Sequence, residues 1–142
     1  MNILDICMIA TVAIIVYILF SIHSKNSTDN DDPMLNKLIE DMITLDPRMK
    51  DKVFHVGNES YTEDKKRIYL CIKDSEGHYY PYNVLIQVAI HEMAHALSNH
   101  NDPIHVTSEF NDLHLELRKK AMTMGMFKQE DNVPTGYCTH KN

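Results

Sequence analysis

Apolar residues run almost unbroken from Ile3 to Ile22, ILDICMIATVAIIVYILFSI, with Asp5 as the one charge. At 1.5 Å per residue this length covers the roughly 30 Å of a bilayer's hydrocarbon core. The run therefore predicts a transmembrane helix, with an anchor over residues 1–24. A cleaved signal peptide needs a positive start and a small-x-small cleavage site. No Lys or Arg precedes the run, and Phe20-Ser21-Ile22-His23 is a poor site. The polar, acidic stretch that follows has nothing to bury and reads as a flexible tether over residues 25–33.

From Asp32 the period changes. Asp32 followed by Pro33 predicts a helix N-cap and first position. Leu35, Leu38, Ile39, Met42 and Ile43 then repeat at helical spacing up to Asp46-Pro47. Val53–Val56 is a short strand candidate closed by Gly57-Asn58. Arg67–Lys73, RIYLCIK, alternates Ile68, Leu70 and Ile72 with other residues and is the clearest strand. Asp74–Gly77 reads as a turn and His78–Pro81 as extended, with Asn83 as the N-cap of the next helix. Val84–Asn99 is apolar around most of its circumference, which predicts a buried helix. A last helix starts at Thr107 or Ser108, carries Phe110, Leu113, Leu117, Ala121 and Met124 on one face, and stops at Gly125. The tail from Glu130, with Pro134 and Gly136, reads as irregular. The pattern predicts a small α+β domain over residues 34–142: a small sheet, one buried helix and flanking helices.

Composition narrows the function classes. The 142 residues carry a formal charge of −6. Neither Lys65-Lys66-Arg67 nor Arg118-Lys119-Lys120 makes a patch that tracks a phosphate backbone, so nucleic acid is not an expected partner. Of three cysteines, Cys7 lies in the apolar run. Cys71 and Cys138 form one isolated pair with no C-x-x-C spacing, and define neither a disulfide framework nor a zinc ribbon. Lys25 follows the span and nothing basic precedes it, so the positive-inside rule leans toward a single-pass protein with a cytosolic C-terminal domain.

The buried helix carries the chemistry. His91-Glu92-Met93-Ala94-His95 is an H-E-x-x-H sequence. Residues i and i+4 share a helical face, so His91 and His95 can reach one tetrahedral Zn²⁺. Glu92 sits at the edge of that face, placed to take a proton without ligating. Gln87, Ser98 and Asn99 extend the polar stripe, which in so apolar a helix predicts a cleft. A catalytic zinc needs a third protein ligand and an open position. His105 leads, because Asp102-Pro103 can fold the chain back beside the helix. His100, Glu109 and His114 are alternatives; His114, next to Phe110 and Leu117, fits a supporting role better.

HEMAHALS (His91–Ser98), with His105 and Glu109-Phe110 after it, resembles the SprT/WLM-like minimal zincin metallopeptidases. SYTEDKKRIYLCIKD (Ser60–Asp74), HEMAHALS and Gly136-Tyr137-Cys138 are together similar to metallopeptidase-like proteins of large DNA viruses. The resemblance spans roughly Leu35–His140. It implies a zincin fold, Zn²⁺ held by His91, His95 and the loop histidine His105, and Glu92 as general base. The loop spacing from Asn99 to Phe110 departs from the usual one, which leaves the third ligand as the open position. Cellular members act on DNA-bound proteins, a role that the acidic balance and the anchor argue against here.

The reading that results is a membrane-anchored zinc peptidase acting on a protein or peptide substrate through a zinc-activated water. An edge strand, expected within Arg67–Lys73, would hold the extended substrate. Tyr137 and His140 are candidate oxyanion donors if the tail folds over the cleft. The alternative is a non-catalytic, membrane-anchored zinc-binding or interaction module, or an adaptor with a four-ligand structural metal that includes His100. Glu92 favours the enzyme, since a structural site gains little from a carboxylate there.

Overall fold

The computed structural model describes residues 11–18, 31–101, 104–128 and 133–138. The chain divides into two units, residues 1–31 and Asp32–Asn142. In the first, residues 11–18 are helical and exposed. The remainder of the predicted span, and most of the predicted tether, lie outside the described residues. Among the described residues no helix is long and apolar enough to cross a membrane. The expected transmembrane anchor is corrected accordingly, and with it the single-pass, cytosolic-facing placement that rested on it.

The second unit is α+β and holds the elements labelled here. Helix α1 is Pro33–Leu45. Asp32 caps it, accepting from the Met34 and Leu35 amides at 2.9 and 3.3 Å. The same carboxylate also takes Lys73 Nζ at 2.8 Å and the Tyr79 hydroxyl at 2.9 Å, tying the start of α1 to the segment ahead of the next helix. A 3₁₀ turn, Pro47–Asp51, leads into the sheet. Strands β1 (Val53–Val56), β2 (Tyr61–Glu63) and β3 (Arg67–Leu70) are ordered β1-β3-β2. β1 runs parallel to β3 and β2 antiparallel to it. Helix α2 is Tyr82–Leu97 and α3 is Ser108–Thr123.

One face of the sheet packs on the helices. Phe54 and Ile68 lie in register on it and are buried. They join Leu35, Leu38, Met42 and Leu45 of α1, the apolar arc of α2, and Phe110, Leu117 and Ala121 of α3 in one core. Removing an Ile or Leu from such a core costs about 2–5 kcal/mol. α3 ends as predicted near Gly125, which has φ +73°. The Met126 amide returns to Ala121 O and the Gly125 amide to Met122 O, the paired closure that a left-handed residue permits.

Several expectations are revised. β2 is a strand that the hydrophobic pattern did not predict, since Tyr-Thr-Glu offers no apolar alternation. The strand expected over Arg67–Lys73 stops at Leu70, and Lys73 makes only an isolated bridge to Tyr79. It is also the central strand, so the edges are β1 and β2, and β2 is the one that borders the cleft. Asn83 lies inside α2, not at its cap; its carbonyl accepts from Gln87 Nε2 at 2.7 Å. Cys71 and Cys138 are joined by a disulfide, Cα–Cα 6.1 Å, across 67 residues. The described part of the tail, residues 133–138, is thereby fixed to the end of β3.

Candidate metal centre

α2 is buried along Leu85, Ile86, Ala89, Ile90 and Met93, which fixes its rotation. That rotation turns His91 and His95 toward a cleft of ≈ 310 Å³, bounded across from the helix by Ser60, Tyr61 and Thr62 of the β2 segment. Their rings meet edge-on, 4.9 Å between centroids. His105 arrives from the loop beyond α2. Its Nε2 lies 2.8 Å from His95 Nε2, and its ring centroid is 4.7 Å from that of His91. One nitrogen from each of His91, His95 and His105 falls within 4.8 Å of the others. Nitrogens around tetrahedral Zn²⁺, each about 2.0 Å from it, sit about 3.3 Å apart, so modest side-chain adjustment closes the three on one ion. Burial, then the nearby His95 and His105, hold the His91 imidazole down to a pKa of about 4. It is therefore neutral at physiological pH, the form that binds metal.

The three rings share a floor. Phe110, only 2% exposed, lies 5.3, 4.5 and 4.7 Å by centroid from His91, His95 and His105. Helical spacing marks Phe110 as core; nothing in the sequence marks it as the residue against which the cluster assembles. His105 itself has φ 54°, a left-handed conformation uncommon for a non-glycine residue. Asn111 Nδ2 donates to both the His105 and Thr107 carbonyls at 3.1 Å. The loop carrying the third imidazole is thus fastened to the first turn of α3.

The other candidates for third ligand go elsewhere. His100 Nδ1 and Glu109 Oε2 pair with each other at 2.6 Å, and Glu109 Oε1 accepts the Asn99 amide at 2.8 Å. The His100 contact is the main reason the Glu109 carboxyl is held below its usual range. This pair joins the end of α2 to the start of α3, and the four-ligand arrangement that includes His100 does not form. His114 packs edge-on against His91 at 5.2 Å and stacks with Phe110 at 5.7 Å, behind the cluster.

Glu92 is 5% exposed and borders the same cleft. Thr62 Oγ1 lies 2.8 Å from Glu92 Oε2 and 3.0 Å from its carbonyl, so this one hydroxyl ties β2 to α2. Burial raises the Glu92 pKa to about 7, against the opposing pull of the Thr62 hydrogen bond. Lys65, in the turn after β2, reaches the far end of α2. Its Nζ donates to His95 O at 2.6 Å, His100 O at 2.7 Å and Ser98 Oγ at 2.9 Å. Thr62 and Lys65 both lie in the Ser60–Asp74 segment, but no spacing rule assigns them to the site.

Tyr137 is not among the residues lining the cleft. Its hydroxyl donates to Cys71 O at 2.6 Å and lies 3.2 Å from Ser60 Oγ, which accepts the Cys71 amide at 3.0 Å. This closed ring, with the disulfide, ties the tail to the base of the β2 segment. Of the two candidate oxyanion donors, Tyr137 has its hydroxyl engaged in this ring beside Ser60, and His140 lies outside the described residues.

Among known proteins, the chain is similar to viral ones. It is 38% identical over 85 residues to the uncharacterized protein 136R of Invertebrate iridescent virus 6, covering 58% of this chain and 46% of that protein. It is 34% identical over 82 residues to the uncharacterized protein 042R of Invertebrate iridescent virus 3, covering 57% and 50%. The chain spans about half the length of the curated relatives it matches. These matches support the viral part of the resemblance. No protein-family profile matches the chain, and no solved structure does.

Proposed function

We propose that this domain is a zinc-dependent peptidase that uses Glu92 as general base. The observation that carries the reading is Glu92 itself. A carboxylate 5% exposed sits beside three imidazoles. Burying an ionisable carboxyl costs stability, and a metal site that only stabilises a fold gains nothing from it in return. Zn²⁺ at the three imidazoles would supply a Lewis acid for the scissile carbonyl and lower the pKa of water beside it.

The chain's own groups do the rest. Thr62 fixes Oε2 of Glu92, leaving Oε1 to accept the proton of the attacking water and return it to the departing amine. In the metal-free protein burial raises this carboxyl to a pKa of about 7, the direction that makes it a stronger proton acceptor. Thr62 also sits on the edge strand that borders the cleft, so the residue that orients the base lies where an extended peptide would pair.

Glu92→Gln tests this directly. It preserves size and the Thr62 hydrogen bond but removes the basic oxygen. Zinc content should stay near one per chain while peptide hydrolysis falls about 10²–10⁴-fold. Hydrolysis unchanged in the variant would sink the reading, as would a wild type that holds zinc but cleaves no peptide in a broad library.

A further inference from the structure

The outward face of the sheet carries a row of rings. His55 of β1, Tyr69 of β3 and Tyr61 of β2 are in register across the three strands. Their planes are nearly parallel. His55 and Tyr69 are 5.0 Å apart at 24°, and Tyr69 and Tyr61 are 4.5 Å apart at 13°. The row ends at the sheet's edge on Tyr61, which is 45% exposed and borders the cleft. One face of its ring rests on Tyr69.

The edge beyond Tyr61 is ready for another strand. The Val53 amide donates to Lys66 O and the Gly57 amide to Leu70 O, so the even-numbered positions of β3 turn their backbone groups toward β1. Alternation turns Arg67 and Tyr69 toward β2, where they pair with Glu63 and Tyr61. The backbone N–H and C=O of Thr62, between those two, are directed away from the sheet. A peptide pairing there sets the residue opposite Tyr61 on the outward face, directly beside its ring.

We propose that Tyr61 is a specificity-determining residue, selecting peptides that carry an aromatic side chain at the position paired with it, so that the substrate adds a fourth ring to the row His55–Tyr69–Tyr61. This rests on the peptidase reading above. Aromatic pairs of this kind are worth about 3–10-fold in affinity over an alanine partner. The neighbouring outward row differs: Arg67 there pairs with Glu63 at 2.8 Å, so preference is confined to one position.

The test uses the full chain loaded with zinc and a peptide library in which each position in turn is Tyr, Phe, Trp, Leu, Ala or Asp. One position should favour the aromatic residues over Ala about 3–10-fold in kcat/KM. Tyr61→Phe should keep that ratio and Tyr61→Thr, still a good strand former, should bring it toward one. Binding of the Tyr and Ala peptides to Glu92→Gln, read by fluorescence anisotropy, should show the same ratio in Kd. Cleavage with a flat profile overturns the inference and leaves the peptidase intact. No cleavage of any peptide overturns the peptidase, and the anisotropy ratio then still decides whether Tyr61 selects aromatic partners. Should Tyr61→Thr fail to fold, the wild-type profile and the Tyr61→Phe variant carry the test.

Discussion

His91, Glu92 and His95 ride on α2, whose apolar arc is wholly inside the core, while His105 rides on an exposed loop with a left-handed backbone. The first three are placed by the packing of Leu85, Ile86, Ala89, Ile90 and Met93, so the fold itself orients them. His105 is on no helix: its ring meets Phe110, His91 and His95, and its backbone is held by a few hydrogen bonds: Asn111 to its carbonyl, the His100–Glu109 pair, and Lys65 at the junction where the loop leaves the helix. A site built this way has two ligands and a base preorganised before metal arrives and one ligand set by local fastenings. Stability and metal affinity should therefore separate between the halves.

The largest expected effect breaks the comparison at the metal. His91→Ala and His105→Ala should each abolish stoichiometric zinc, because two imidazoles make too weak a site. They should differ in the metal-free fold. His91 packs against Phe110, His105 and His114, and its loss should lower stability by about 1–2 kcal/mol. His105 is exposed, and its loss should leave the midpoint of urea unfolding almost unchanged. Zinc retained in His105→Ala, measured by metal analysis after gel filtration, would mean that the third ligand is another residue.

The sequence carried one half of the site far better than the other, for the same physical reason. A contiguous helix obeys a 3.6-residue period, so His91, Glu92 and His95 are placed relative to one another by spacing alone. His105 was reachable only as a residue in a loop able to fold back beside the helix. Thr62 and Lys65 were not reachable at all, because what assigns them is the pairing of a three-residue strand whose composition gives no alternation. The Cys71–Cys138 bond spans 67 residues, and a single pair carries no spacing rule. The apolar run at the N-terminus shows the opposite failure: composition alone predicted an anchor, and the described residues contain no helix that can span a bilayer.

A smaller effect separates the base from its neighbour by pH. In the metal-free protein the folded pKa of Glu92 is about 7, above its ordinary 4.5. The folded state then holds a proton that the unfolded chain has released, so stability is full below about 4.5 and is lost as pH rises through 7. His91 runs the other way. Its folded pKa of about 4 lies below the ordinary 6.5, so stability is lost as pH falls from 6.5 toward 4. Over the shared window the two slopes oppose each other. Glu92→Gln removes one of them: the variant should exceed wild type by about 2–3 kcal/mol at pH 8 and match it near pH 4.5. Parallel stability curves for the two proteins between those pH values would show that Glu92 is not buried as described.

The smallest effect concerns the junction between the halves. Lys65 stands outside both, with φ 59°, yet its Nζ takes the carbonyls of His95 and His100 and the hydroxyl of Ser98. The last carbonyls of a helix have no partners within it and carry partial negative charge. A lysine reaching them from the hairpin therefore both closes α2 and fixes the direction in which the chain departs toward His105. Lys65→Met keeps the aliphatic stem and removes the donors. Unfolding should cost about 1–2 kcal/mol less, a modest figure because the freed carbonyls lie near solvent. Zinc affinity should weaken more than this stability loss alone explains, since the departing loop carries a ligand. Competition against a chromogenic chelator measures that affinity. A variant with lowered stability and unaltered zinc affinity would place Lys65 with the helix half alone, and the direction of the His105 loop would then rest on Asn111 and the His100–Glu109 pair.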